Sequence, residues 1–131
     1  MATLDEMING AVNRILALEG STNVEFIYLY GSVASQKSRK ESDVDLCIYF
    51  QADTREAFNF LTEAMSVVNT DIFDIKIFQQ LPLYIKIDVF KGRLLFARNI
   101  EKVYSTAYNT IMEYEEFEQR FYDYIGKEAI R

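Results

Sequence analysis

Two short apolar runs limit what this chain can fold into. Asn23–Tyr30 (NVEFIYLY) and Val44–Phe50 (VDLCIYF) are nearly unbroken, β-branched and aromatic, and Gly31-Ser32 closes the first. Runs of this length and type read as buried strands. Neither approaches the roughly eighteen apolar residues of a membrane span. Asp71–Phe78 (DIFDIKIF) alternates and reads as a third strand, and Arg93–Ala97 (RLLFA) as a fourth. Helical periods separate them. Leu4, Met7, Ile8, Ala11, Ile15 and Leu18 predict an amphipathic helix ending near Gly20. Ala57, Phe58, Leu61, Ala64, Met65 and Val68 predict another over 53–68, with Asp53 as N-cap. The segment LPLYIKIDVFKG alternates like a strand, but Pro82 before it and Gly92 after it are helix punctuation, so a short helix is expected. Strands alternating with helices predict an α/β (α+β) domain.

From Glu101 onward, Tyr104, Ala107, Tyr108, Ile111, Tyr114, Phe117, Phe121, Tyr124 and Ile125 keep a 3.6-residue beat. A single helix over 101–129 would run about 43 Å, against a radius of gyration of about 14 Å for a compact chain of this size. It must therefore overhang or bend. Tyr104, Tyr108, Tyr114 and Phe117 are expected on the core side, with Phe121, Tyr122, Tyr124 and Ile125 as contact surface for another chain. A kinked helix packing all of them at home is the alternative. With 131 residues the chain has length for about one domain, divided here into a body, 1–100, and a helical extension, 101–131.

The chemistry is bounded by what is missing. There is no histidine and one cysteine, Cys47. That excludes Ser-His-Asp and Cys-His nucleophile systems, the usual zinc sites and an internal disulfide framework. Acid–base or metal work must fall mainly to carboxylates, lysines or tyrosines. Fourteen basic against twenty acidic residues, a net charge of −6, argues against a nucleic-acid binder, which neutralises phosphates. The N-terminal MATLDEMING is acidic where a signal peptide would be basic. A lone cysteine fits a reducing compartment, so a cytoplasmic protein is expected.

Three features converge. Gly31-Ser32 ends a buried strand, where backbone amides and a hydroxyl can approach an anion closely; alone, such a pair is more often a plain turn. Asp43-Val44-Asp45 opens the second strand, and alternation puts both aspartates on one face, about 7 Å apart along the chain. They would converge on a hard cation or, as the bland alternative, edge a solvated strand. Asp74 lies mid-strand on a face with Ile72 and Lys76. It pairs either with Lys76 or with the same cation, and Asp88 and Asp71 are rival third carboxylates.

Gly31-Ser32, ten residues, then Asp43-x-Asp45 resembles the signature of the DNA polymerase β-like nucleotidyltransferase superfamily. Ser42-Asp43-Val44-Asp45-Leu46, Asp74-Ile75, Leu81-Pro82-Leu83 and Gly92-Arg93-Leu94-Leu95-Phe96 narrow the likeness to the minimal nucleotidyltransferases found as antitoxins beside HEPN proteins. The resemblance implies a nucleotidyltransferase fold: a small mixed β-sheet with helices packed on it and a long C-terminal helix. It makes residues 1–100 the catalytic domain. It implies transfer of a nucleoside monophosphate, AMP from ATP, to a hydroxyl on a HEPN-type toxin. Asp43 and Asp45 would bridge two Mg²⁺ ions (or Mn²⁺) and Asp74 would complete the second metal site, an all-oxygen set. Gly31 and Ser32 would hold the β- and γ-phosphates. Where the family continues with Arg-Gly, this chain has Ser35-Gln36; Lys37, Arg39 or Lys40 would then supply the missing cation, or the cluster is a solvated loop. Homo-oligomers through the C-terminal helix fit the same picture. Two other functions remain open: transfer to a small molecule such as an aminoglycoside, and a binding module that neutralises its partner by docking alone.

Overall fold

A computed structural model of the protein describes residues 2–31 and 44–126. Four strands form one sheet in the order β3-β2-β1-β4: β1 (Val24–Tyr30), β2 (Val44–Phe50), β3 (Phe73–Ile77) and β4 (Arg93–Ala97). β1 runs antiparallel to both β2 and β4, while β2 and β3 are parallel, so the sheet is mixed. The helices are α1 (Leu4–Leu16), α2 (Thr54–Val67), α3 (Leu83–Phe90) and α4 (Ile100–Ile125). The parallel step from β2 to β3 is bridged by α2, as a crossover requires.

Both faces of the sheet are covered, which is why β1 and β2 read as apolar runs. Against one face α1 and α2 pack Ile8, Ala11, Ile15, Ala57, Phe60 and Ala64 onto Ile27, Leu46, Ile48 and Ile75. Against the other, Val89 of α3 and Val103 of α4 close over Phe26, Tyr28, Tyr30 and Cys47. Val24 and Ile27 share a face despite an odd spacing because the β1–β2 register shifts between Val24 and Phe26. Phe26, fully buried, has the rings of Tyr49, Phe78, Tyr28 and Phe90 at 5.1–6.0 Å. The Gln79 side chain closes the end of β2. It accepts from the Phe50 N–H and donates to the Phe50 carbonyl, replacing a strand neighbour.

The termini of the elements carry their expected chemistry. Thr3 and Glu6 form a reciprocal capping box on α1, and the Asp53 carboxylate accepts from the Glu56 N–H to start α2. Pro82 precedes α3 and Gly92 follows it, so Leu83–Phe90 is a helix in spite of the segment's alternation. The glycine is required by a close approach, since a Cβ at position 92 would collide with the Leu29 carbonyl oxygen of β1. α1 stops at Leu16, short of Gly20, because a 3₁₀ turn over Glu19–Asn23 carries the chain into β1.

Two helix faces differ from their expected orientation. In α2 the buried stripe is Ala57, Phe60 and Ala64, with Phe60 stacked on Phe50 at 4.5 Å, whereas Phe58 and Met65 are exposed. α4 is one helix of 26 residues, about 39 Å long, and its buried residues are Val103 and Thr110. Tyr104, Tyr108 and Phe117, expected in the core, are exposed at 67, 63 and 51%. Val103 packs with Val89 and the β1 aromatic residues, and Tyr104 and Tyr108 turn outward. Phe121, Tyr122 and Tyr124 are exposed as expected. No described helix is long and apolar enough to cross a membrane.

Phe26→Ala is expected to lower the unfolding free energy by about 3–5 kcal/mol. Tyr124→Ala, at 90% exposure, should stay within about 0.5 kcal/mol of the parent. Urea denaturation followed by circular dichroism measures both.

Candidate active site

Register assembles the site. Across β1, β2 and β3, Tyr30 pairs with Asp45 and Asp45 pairs with Asp74. Directly paired residues share a sheet face, so the three side chains stand in a row at strand spacing, about 4.8 Å per step. Their face is the one under α3 and α4, because Leu46, Ile48, Phe73 and Ile75 point to the opposite layer. Ile72 precedes β3; its carbonyl accepts from the Val44 N–H at 2.8 Å and extends the ladder that holds Asp45 beside Asp74.

Gly31 follows Tyr30 with φ at 78°, a left-handed conformation that suits glycine. A Cβ there would fall on the Asp45 Oδ2 oxygen. The glycine therefore serves two ends: it turns the chain out of β1, and it leaves room for a carboxylate. Asp74 also meets its bland partner, Lys76, at 3.4 Å. Both side chains are partly open to water, at 49 and 39%, and such a pair contributes little. Two carboxylates side by side on one face repel, and a hard, oxygen-seeking cation is the group that best offsets that repulsion.

Tyr30 was legible only as part of an apolar run. Burial, then Cys47 and the carboxylates of Asp45, Asp74 and Asp88, raise its phenol well above the ordinary range. It stays a neutral hydroxyl beside the acidic row. Asp88, on α3, thus belongs to the neighbourhood of the pair. Asp71 lies in the exposed turn before β3 and away from it. Cys47, two residues beyond Asp45, is fully buried, and burial pushes its thiol up, against an opposing pull from Lys86. Ser32, Lys37, Arg39, Lys40 and Asp43 lie outside the described residues. Among the described residues, no group of three or more Cys, Asp or Glu side chains gathers closely enough to hold a metal ion; Asp45 and Asp74 form a pair.

A family model for polymerase beta nucleotidyltransferases matches residues 13–101. The chain belongs to that family. The matched stretch runs from α1 to the start of α4 and contains Gly31, Asp43, Asp45 and Asp74. A curated relative, the "Putative protein adenylyltransferase MJ1547" of Methanocaldococcus jannaschii, is 37% identical over 76 residues. The alignment spans 57% of this chain and 57% of that protein, little more than half of each. Among solved structures, a toxin–antitoxin crystallised with AMP-PNP shares the fold at a TM-score of 0.68 and 16% identity, over 94% of this chain and 98% of that one. A tri-AMPylated Shewanella oneidensis HEPN toxin in complex with MNT antitoxin is similar at a TM-score of 0.62 and 16% identity, over 95% and 98%. The mixed sheet and long C-terminal helix expected from the sequence are thus the fold of these neighbours.

Gly31→Ala should cost about 1–2 kcal/mol through its backbone conformation. It should also displace the Asp45 carboxylate. The variant is expected to unfold at lower urea and to bind Mn²⁺ more weakly by electron paramagnetic resonance; parental Mn²⁺ binding would show that Asp45 does not depend on the missing Cβ.

Proposed function

We propose that this protein is a metal-dependent nucleotidyltransferase that moves AMP from ATP to a hydroxyl on a partner protein, antitoxin-like toward a HEPN-type toxin. The observation that carries the reading is the Asp45–Asp74 pair, abreast on one sheet face beside the Gly31 turn. Family membership supports the reaction class. The curated relative's name supports adenylyl transfer to protein. The AMP-PNP and tri-AMPylated HEPN toxin complexes among the fold neighbours support nucleotide and partner. The cytoplasm, a reducing compartment, suits its one buried thiol.

The residues present fit Mg²⁺ or Mn²⁺. Their donors are carboxylate oxygens, with no histidine in the chain and its one thiol buried in the sheet. Asp43 and Asp45 would hold the ions and Asp74 would complete the second position. Bound there, the metal would neutralise triphosphate charge and lower the pKa of the acceptor hydroxyl. The protein's own share is positioning, since phosphoryl-type transfer asks little covalent chemistry of its enzyme. Gly31 and Ser32 would cradle the β- and γ-phosphates through backbone amides and a hydroxyl. Lys37, standing near the place of the family's arginine, would add the cation. Asp74 would accept the acceptor's proton, and pyrophosphate would leave in line. Tyr30, held neutral, would offer a hydroxyl proton to the acidic row without adding charge. The exposed aromatic face of α4 is the surface a partner would cover.

The purified chain, incubated with Mg²⁺, each NTP in turn and the product of the neighbouring gene, should add a nucleoside monophosphate to that product, read by intact mass. Co-elution without a mass increment would favour docking alone, and no interaction would favour a small-molecule acceptor. Asp45→Asn and Asp74→Asn should each lower transfer by on the order of 10²–10³-fold or more, as when one charge-stabilising group is taken from a transition state. Both should fold as well as the parent or better, because clustered like charge is relieved; unfolding would assign these carboxylates to structure.

A further inference from the structure

We propose that the recess between α3 and α4 is a second ligand site, separate from the carboxylate pair, that takes a small phosphate monoester carrying hydroxyl groups. The recess holds about 260 Å³, and its floor is the rings of Tyr49 and Phe78, 5.7 Å apart. Two cations lean over that floor. The Lys86 ammonium lies 5.4 Å from the Phe78 ring centre, and the Lys102 ammonium 5.2 Å from that of Tyr49. Among the described residues neither lysine is ion-paired, although acidic residues outnumber basic ones in this chain by twenty to fourteen. A ring face holds an ammonium less firmly than a phosphate oxygen does, because the latter accepts charge-assisted hydrogen bonds. An anion entering the recess can therefore draw both lysines from their rings.

The remaining polar groups narrow the ligand. Ser105 and Thr110 spend their hydroxyls on the Lys102 and Thr106 carbonyls, and Gln79 is bound to the backbone of Phe50. Asn109 and Thr106 line the recess, and Glu113 lines it from a later turn of α4. The Glu113 carboxylate disfavours a second anionic group but accepts from hydroxyls. The volume falls just under the roughly 300–1,000 Å³ of drug-sized pockets. A sugar phosphate matches this set better than a triphosphate.

The recess is distinct from the acidic row. Tyr49 lies four residues beyond Asp45 along β2, about 13 Å. Cys47 and Val89, both fully buried, fill the space between. On α3, Lys86 and Asp88 are two residues apart and so occupy different sides of the helix. Lys86 lines the recess, while Asp88 acts on Tyr30.

The test uses the full chain in EDTA, without NTP, titrated with ribose 5-phosphate and separately with inorganic phosphate. Calorimetry should show ribose 5-phosphate binding that weakens with salt, falls at least tenfold in Lys86→Gln/Lys102→Gln, and exceeds that of inorganic phosphate. Amide shifts should gather at Thr106 and Asn109 and spare Gly31. Circular dichroism checks that the double variant folds. No binding, binding indifferent to the two lysines, shifts centred on Gly31, or equal affinity for inorganic phosphate would each overturn the proposal. None of these outcomes bears on nucleotidyl transfer, which the mass experiment tests separately.

Discussion

β2 is shared between two partners, and the rest of the site depends on that sharing. Its antiparallel edge fixes Tyr30 and Gly31 against Asp45; its parallel edge fixes Asp74 against the same residue. No single element carries the site. The backbone hydrogen bonds of a central strand are the best protected in the molecule, so carboxylates mounted there are held firmly against their mutual repulsion. Loops alone would let them drift apart.

Covering both faces of the sheet has a chemical effect as well as a stabilising one. On the α1–α2 side the layer is wholly apolar. On the α3–α4 side the apolar layer thins toward the start of β2, where Asp45 and Asp74 stand half-buried. Charge is therefore partly withdrawn from water without being sealed off, which strengthens its pull on a cation and leaves a way in.

Much of this was legible from the chain. The apolar runs located β1 and β2, and strand alternation set Asp74 opposite Ile75, but Ile72, expected on the Asp74 face, lies before β3 and packs with the α1–α2 layer instead. Pro82 and Gly92 overrode the alternation of the segment between them, because a glycine lacking room for a Cβ leaves a stronger mark than hydropathy. Helix orientation was less legible. α4 carries aromatic residues on several sides, so period alone could not choose among them, and the face that docks on β1 carries Val103. Phe60 replaced Phe58 for a similar reason, the stacking partner Phe50 being fixed by β2. Tyr30's place beside Asp45, and the gathering of Lys86, Lys102 and Tyr49, required strand register and helix docking that no local pattern encodes. Ser32, Lys37 and Asp43 stay expectations from spacing and family likeness.

The parallel match of β2 with β3 has an effect on how errors are treated during folding. Because strand side chains reverse at every residue, an offset of one position would drive Asp74 into the greasy layer beneath α1 and α2 and bring Phe73 or Ile75 up among the acids. Such a misthreaded chain would bury a bare charge, at a cost far above that of a missing contact. The Asp74 carboxylate thus disfavours the out-of-step sheet, because it is the group that such an offset would misplace.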